Sequence, residues 1–258
     1  MKNYPTDRNS KNNKLKSLPF AKLFPNIVTI AAICFGLSSI RYALDEKWEI
    51  SVLLIIIAGF LDVVDGRLAR YLKATSNFGA YLDSLADFID FGVAPAIVLY
   101  LWNLRNIEIK GLGWALVLFF SVCMAIRLAR FNSDLDEETR PEWKDMFFTG
   151  VPAPAGAYLA IIPMMLSFRF DIDFSKYIPF VGTYMILVAL LLVSTIPTFS
   201  LKKIVIAREH VPLFFVLTGF VIAMVIIEPW IALPFIGLTY LSIIPFGMAV
   251  NKKYRNIK

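Results

Sequence analysis

Four aspartates lie close together at the facing ends of two adjacent apolar segments. Asp62 and Asp65 are three residues apart near the end of the first segment, and Asp83 and Asp87 are four residues apart near the start of the next. Residues three or four apart share one face of a helix. Because the connection between the segments is short, the two helices are antiparallel neighbours. The sequence therefore predicts that the four carboxylates converge.

Four carboxylates in a small, partly dry site repel one another strongly. Divalent cations remove this repulsion, and hard ions such as Mg²⁺ or Mn²⁺ prefer oxygen ligands. Two such ions about 3.5–4 Å apart also clamp the attacking and leaving oxygens of a phosphoryl transfer. The pattern favours a site with two divalent cations. The alternative is a set of boundary carboxylates that form ion pairs with Arg67, Arg70 or Lys73.

The residues between the acids add features of a phosphate site. Gly66 and Gly79 allow a backbone or a ligand to approach closely. Arg70 lies one turn past Gly66, where a guanidinium can meet a phosphate oxygen. Thr75 or Ser76 can cap the third helix, whose first amides then favour an anion. Together these features predict a diphosphate site bridged by metals.

The elements that position these residues must cross a membrane. Of the 258 residues, 58% are hydrophobic and 18% are charged, whereas soluble domains have about 45–50% apolar and about 25% charged residues. A spanning helix needs about 20 mostly apolar residues. The segments that meet this requirement are 24–43, 48–66, 80–101, 113–131, 151–168, 178–199, 211–228 and 230–249. We predict an all-α, polytopic membrane protein with about eight transmembrane helices.

Basic residues are unevenly distributed between the two sides of this predicted bundle. If both termini lie on one side, that side carries 20 lysines and arginines and the other side carries 6. Positive residues concentrate on the cytoplasmic side of membrane proteins. We therefore predict an inner (cytoplasmic) membrane protein whose termini and aspartates face the cytoplasm. The net charge of +6 follows from this bias and does not indicate binding to nucleic acid.

The stretch 62–87 resembles the signature of the CDP-alcohol phosphotransferase family. The eight fixed positions of that signature match in type and spacing: Asp62, Asp65, Gly66, Ala69, Arg70, Gly79, Asp83 and Asp87. The resemblance implies a six-helix catalytic core whose four aspartates bind two divalent metals that bridge to the CDP diphosphate, with Asp87 as general base. It also implies a CDP-lipid site formed by Asn26, Thr29, Gly66, Ala69, Arg70, Ser76 and Gly79. For Asn26 and Thr29 the alternative is a polar cap at the start of a helix.

Other segments resemble the bacterial, membrane-embedded phosphatidylserine synthases of that family. They are 82–87, 91–96, 127–132, 150–155 and 197–202. This resemblance implies transfer of a phosphatidyl group from CDP-diacylglycerol to L-serine, giving phosphatidylserine and CMP. The alternative acceptors are inositol, choline and glycerol 3-phosphate. A cation transporter that uses intramembrane carboxylates is the alternative from another functional class.

Two arginines and one extra aspartate complete the candidate residues. Arg127 and Arg130 are three apart on the fourth helix and are candidates for binding the serine carboxylate or a lipid phosphate. The alternative is ordinary anchoring by positive residues on the cytoplasmic side. Asp90 departs from the family pattern, and it either pairs with a basic residue or competes with Asp87 for the role of base.

The chain divides into four predicted parts. They are a basic cytoplasmic arm at 1–19, the catalytic core at 20–205, two additional helices at 206–250 and a basic tail at 251–258. The expected partners are CDP-diacylglycerol, L-serine and membrane lipids. The resemblance also implies a homodimer.

Overall fold

The structure, a computed structural model, describes residues 23–135, 147–199 and 207–255. The predicted arm at 1–19 lies outside these residues. The helices in the described ranges are α1 (Phe24–Leu44), α2 (Trp48–Tyr71), α3 (Asn77–Asp87), α4 (Ala94–Trp102), α5 (Leu112–Leu135), α6 (Ala153–Ala160), α7 (Ile162–Phe170), α8 (Ile178–Val193), α9 (Val211–Ile227) and α10 (Pro229–Arg255). A π-helical turn, Phe88–Val93, joins α3 to α4 without a break.

Within the described residues, five helical segments are long and apolar enough to cross a membrane. They are Phe24–Leu44, Asn77–Trp102, Leu112–Ser133, Ala153–Phe170 and Arg208–Ile227. Helix α8 and the segment Pro229–Pro245 are apolar but shorter. Helix α2 has 24 residues, and charged side chains interrupt its last third. The prediction of an all-α, multi-pass membrane protein is confirmed, whereas the number of eight spans stays a prediction.

Two of the predicted spans differ in detail from the observed helices. The span predicted at 178–199 ends at Val193, and a short strand β2 (Pro197–Phe199) pairs antiparallel with β1 (Phe147–Thr149). The span predicted at 151–168 is interrupted at Ile161. Pro163 has no N–H group with which to continue the hydrogen-bond ladder of α6, so the chain restarts as α7.

Helix α1 packs against its neighbours through a stripe of small residues. The buried positions recur every three or four residues, as expected for one face of a helix: Pro25, Thr29, Ala32, Gly36, Ser39 and Ala43. Small side chains allow helices in a membrane to approach closely. Near the far end of the stripe, the Ser51 hydroxyl of α2 donates a 2.8 Å hydrogen bond to the Ser39 carbonyl. At the other end of the stripe, Thr29 forms a hydrogen bond with Asp65 of α2.

The best-buried part of the molecule surrounds α4. Phe91 and Leu99 are fully buried, as are Phe120 and Met124 on α5. By contrast, Ala86 is the one buried residue of α3. The apolar core therefore holds the half of the α3–α4 span that lies away from the aspartates.

Candidate active site

Three carboxylates converge between the second half of α2 and the second half of α3. Residues 72–76 connect these helices, which places Asp62 of α2 beside Asp83 and Asp87 of α3. One carboxylate oxygen from each of the three residues lies within 4.8 Å of the others. Three of the four predicted metal ligands thus meet at one point.

The fourth predicted ligand, Asp65, is tied to the first helix. The Thr29 hydroxyl donates a 2.6 Å hydrogen bond to Asp65 Oδ2. Asp65 is only 3% exposed, so this bond fixes the orientation of a buried carboxylate. Asp65 lies outside the close group of three oxygens. Thr29 was predicted to line a nucleotide pocket, which stays a prediction, and in the structure its hydroxyl holds a candidate metal ligand in place.

The first turn of α3 brings together three residues predicted to contact the CDP-lipid. Ser76 is the N-cap of α3, and its Oγ accepts a 3.1 Å hydrogen bond from the Gly79 amide. This assigns the cap to Ser76 rather than to Thr75. A Cβ atom at Gly79 would lie 3.0 Å from Asn26 Oδ1. The absence of a side chain at Gly79 therefore lets α1 approach the N-terminus of α3.

The last turns of α2 present the other predicted lipid-binding residues. Gly66 and Arg70 are exposed, and Ala69 is half-buried. The space beside the Gly66 Cα is open, because a Cβ there would meet no atom within 4 Å. In the described part of the chain, none of the ion pairs joins Asp62, Asp65, Asp83 or Asp87 to Arg67, Arg70 or Lys73. The alternative, in which the four aspartates form ion pairs with these basic residues, is therefore not supported by the contacts of the described residues.

The two arginines of α5 have different surroundings. Arg130 donates hydrogen bonds to the carbonyls of Leu192, Val193 and Ser194, at 3.2, 2.7 and 3.1 Å, and so caps the end of α8. Arg127 is 6% exposed, donates from Nε to the Val151 carbonyl at 2.7 Å, and lies within electrostatic range of Asp87. Of the two, Arg127 is the one whose charge interacts with Asp87.

Asp90 lies in the π-helical turn and does not join the group of three. It is 1% exposed, and its Oδ1 has no hydrogen-bond partner among the described residues. It packs against the backbone of α1, because a Cβ atom at Gly36 would overlap its Oδ1. Its charged neighbours are other acids, Asp62 and Asp65.

One neighbour of the site was missed in the sequence. Tyr158 of α6 lies within electrostatic range of Asp62, and its hydroxyl donates a 3.2 Å hydrogen bond to the Ile56 carbonyl. The only signal in the sequence is a tyrosine in a helix whose other residues are small or apolar. That signal does not show which helix the tyrosine faces.

The side chains at this site suit hard divalent cations. The donors are carboxylate oxygens, the ligands that Mg²⁺ and Mn²⁺ prefer. Asp87 Oδ1 is buried and has no hydrogen-bond partner in the described residues. Such an atom is costly in a membrane unless a cation or a proton neutralises it. The arrangement fits a metal centre that binds and activates a phosphate ester.

Comparisons with known proteins agree with this chemistry. A family model described as CDP-alcohol phosphatidyltransferase matches residues 22–196, and one described as CDP-alcohol phosphatidyltransferase 2 matches residues 209–245. A CDP-diacylglycerol–serine O-phosphatidyltransferase of Mycobacterium leprae is 38% identical over 88% of this chain and 75% of its own length. Proteins of the same name from Helicobacter pylori and Bacillus subtilis are 34% and 37% identical, over 84% and 54% of this chain and 87% and 73% of their own lengths. The first family model covers well over half of the residues of this chain. The chain is therefore an enzyme that belongs to the CDP-alcohol phosphatidyltransferase family.

Proposed function

We propose that this enzyme transfers the phosphatidyl group of CDP-diacylglycerol to the hydroxyl group of L-serine, giving phosphatidylserine and CMP. The observation that carries the proposal is the convergence of Asp62, Asp83 and Asp87 inside a membrane-spanning bundle. A phosphate-activating site at that position is accessible to a lipid held in the bilayer. The acceptor is inferred from the relatives, whose names specify serine.

Two divalent cations, Mg²⁺ or Mn²⁺, are the proposed cofactors. Asp62, Asp83 and Asp87 would hold them together with Asp65, whose orientation the Thr29 hydroxyl sets. When bound, the cations neutralise the diphosphate and make CMP a better leaving group. The oxygen ligands are supplied by two helices that the short 72–76 connection keeps together.

Asp87 is the proposed general base. It removes the proton from the serine hydroxyl as that oxygen bonds to the phosphorus of the phosphatidyl group. The bond from this phosphorus to the bridging oxygen of the diphosphate breaks, and CMP leaves with the electron pair. The burial of Asp87 Oδ1 without a hydrogen-bond partner among the described residues supports this assignment, because a base needs an oxygen within about 3 Å of the proton that it removes.

The phosphate groups would contact the start of α3 and the end of α2. The Ser76 hydroxyl satisfies the amide of Gly79, and the earlier amides of the first turn can face an anion. Arg70 and the open side of Gly66 lie on the adjacent turns of α2. Arg127 is proposed to bind the serine carboxylate because it is a buried cation within electrostatic range of Asp87.

The proposal is tested by an acceptor panel on the purified enzyme. CDP-diacylglycerol is supplied with L-serine, inositol, glycerol 3-phosphate or choline, and both CMP release and the lipid product are measured. We expect phosphatidylserine with L-serine, no CMP release after chelation, and recovery of activity with Mg²⁺ or Mn²⁺. Turnover with another acceptor alone refutes the serine assignment. Full activity after exhaustive chelation refutes the metal site, and absence of CMP release with every acceptor favours a transporter.

Both termini and the active site are proposed to face the cytoplasm. The excess of lysine and arginine on that side, 20 against 6, supports this orientation. Reporter tags at the two ends should therefore give a cytoplasmic signal, and a cysteine-reactive probe at Arg105→Cys should label from the opposite side. An N-terminal tag that reports the outer side would contradict the orientation. The homodimer stays a prediction, which the mass of the purified enzyme in detergent can test.

A further inference from the structure

A cavity of about 550 Å³ lies at the end of the bundle away from the aspartates, between the 103–111 connection and the starts of α5 and α8. Cavities of about 300–1,000 Å³ are typical of sites for small molecules. We propose that this cavity binds a membrane glycerophospholipid whose headgroup carries a phosphate and a primary ammonium group, with an acyl chain between α5 and α8. The inference does not depend on the proposed function, because no residue that lines the cavity belongs to the active site.

The lining of the cavity changes from charged to apolar in the direction of the two helices. Its charged residues, Glu108 and Lys176, are exposed and come from the connections that precede α5 and α8. The apolar part follows α8 from Ile178 to Ile186, and these residues rise by about 12 Å. The cavity therefore has a charged entrance and an elongated apolar groove, which match the headgroup and the acyl chain of a lipid. The residues of the groove recur at intervals of one helical turn: Leu112 and Leu116 on α5, and Ile178, Gly182 and Ile186 on α8.

The groove is closed towards the core and open towards the outside of the bundle. Gly182 is buried, and a Cβ atom there would lie 3.1 Å from Leu116 Cδ1. Helices α5 and α8 therefore approach closely at the base of the groove. On the other side, Leu112 is 39% exposed and Thr183 is also exposed. In a membrane-spanning bundle, this open side is accessible to the acyl chains of the bilayer.

Aromatic side chains mark the charged end of the cavity as a membrane interface. The rings of Trp102 and Phe174 have centroids 5.6 Å apart, and those of Tyr100 and Trp114 have centroids 5.5 Å apart. Tryptophan and tyrosine are enriched where a membrane meets water. Trp102 ends α4 and Trp114 lies in the first turn of α5. The charged entrance between these helix ends therefore lies at the depth of lipid headgroups.

The two charges at the entrance determine which headgroup fits. The Glu108 carboxylate can accept hydrogen bonds from a primary ammonium, and the Lys176 ammonium can bind a phosphate. Lys176 Nζ also forms an exposed 3.5 Å ion pair with Asp173, and an exposed pair of this kind is weak enough for a phosphate to compete. A purely anionic headgroup leaves Glu108 without a cation, and a quaternary ammonium has no N–H group to donate. Phosphatidylethanolamine satisfies both charges.

The test measures the binding of radiolabelled phosphatidylethanolamine to the full-length enzyme in detergent, after bound lipid has been removed. We expect saturable binding, with phosphatidylglycerol and phosphatidylcholine competing about fivefold more weakly than unlabelled phosphatidylethanolamine. Glu108→Gln should abolish the preference for phosphatidylethanolamine over phosphatidylglycerol, and Lys176→Gln should weaken the binding of both lipids. Excess CDP-diacylglycerol should not displace the label, because its proposed site lies at the other end of the bundle.

Two tryptophan variants of α8 provide a matched comparison. Thr183 lines the groove, whereas Leu187, one turn later, is 55% exposed and is not among the lining residues. Thr183→Trp fills the groove and should lower the affinity for phosphatidylethanolamine more than about tenfold, because even two displaced methylene groups account for that change. Leu187→Trp should bind this lipid as the wild type does. CMP release should be unchanged in both variants, which shows that they are folded.

Several outcomes would overturn the inference. They are equal affinities in Thr183→Trp and Leu187→Trp, equal competition by the three lipids, and displacement of the label by CDP-diacylglycerol. If no lipid binds and Thr183→Trp instead converts a dimer to a monomer, the cavity is a contact between copies of the chain and the inference is wrong. If Thr183→Trp does not fold, Glu108→Gln carries the test, since Glu108 is exposed. An unchanged preference for phosphatidylethanolamine in that variant would refute the proposed headgroup.

Discussion

The span Asn77–Trp102 has two halves with opposite surroundings. The first half, α3, carries Asp83 and Asp87 and buries one residue, Ala86. After the π-helical turn, the second half, α4, carries no charge and buries five of its nine residues: Ala94, Pro95, Ala96, Val98 and Leu99. One continuous helical span thus carries site residues in its first half and packs into the apolar core with its second half.

This difference shows how a membrane protein can keep a polar site stable. The acidic half contributes little buried apolar area, and its carboxylates repel one another when no cation is bound. The packed half must therefore hold the span in place. Substitutions in the two halves should accordingly affect different quantities, turnover in the first and stability in the second.

The largest effect on turnover is expected from the three converging carboxylates. Asp62→Asn or Asp83→Asn removes a charged oxygen ligand, and each should lower kcat by about a hundredfold or more. The melting temperature should not fall, because each change also reduces repulsion within the group. CMP release and thermal melting of the purified variants measure the two quantities. Near-normal kcat with saturating Mg²⁺ would show that the group does not bind the catalytic metals.

The next test concerns Asp87, the last residue of α3, and Asp90, which lies in the π-helical turn. Asp87 is one of the three converging residues, whereas Asp90 packs against Gly36 outside that group. We expect Asp87→Asn to lose nearly all turnover while remaining folded, and Asp90→Asn to keep a substantial fraction. Steady-state CMP release, measured on both purified variants, shows which of the two aspartates turnover requires. An inactive Asp90→Asn beside an active Asp87→Asn would show that the base is Asp90.

A smaller effect on turnover is expected at Thr29. Thr29→Val keeps the shape of the side chain but removes the 2.6 Å hydrogen bond to Asp65. A hydrogen bond to a charged group contributes about 1.5–3 kcal/mol, so kcat should fall roughly tenfold or more. Thr29→Ser keeps the hydroxyl and serves as the matched control. Equal kcat values in the two variants would show that Asp65 does not need this bond.

The smallest effect on turnover is expected in the packed half. Leu99 is fully buried in α4, and truncation of a buried leucine to alanine costs about 2–5 kcal/mol. Leu99→Ala should therefore lower the melting temperature in detergent, with kcat per folded molecule close to that of the wild type. A normal melting temperature with a large loss of kcat would contradict the assignment of stability to the packed half and turnover to the acidic half.

The sequence predicted the convergence of the acids because the information is local. Asp62 and Asp83 lie on helices joined by a short connection, so their proximity follows from helix geometry and chain length. The cap at Ser76 is similarly local, since the residue accepts a bond from an amide three residues later. The family membership follows from the same short stretch of sequence.

Contacts between distant segments were not predictable in this way. Thr29 and Asp65 are 36 residues apart, and their hydrogen bond depends on the rotation of α1 about its axis. Arg127 and Arg130 look equivalent in the sequence. They differ because α8 ends at Val193, beside Arg130, and the position of that end depends on tertiary packing.

The π-helical turn Phe88–Val93 has a further consequence for the length of the chain. A π-helical turn holds one residue more than an α-helical turn, and each residue of an α-helix turns the chain by about 100°. Deleting Ile89 would let the segment close as a regular α-helix. The acidic half would then keep nearly its present rotation relative to α4, because six π-helical residues turn the chain by about the same angle as five α-helical residues, and Asp83 and Asp87 would stay beside Asp62. At this place the loss of one codon therefore leaves the site assembled, whereas the same loss in a regular α-helical turn of this span would rotate the two flanking parts by about 100° relative to each other.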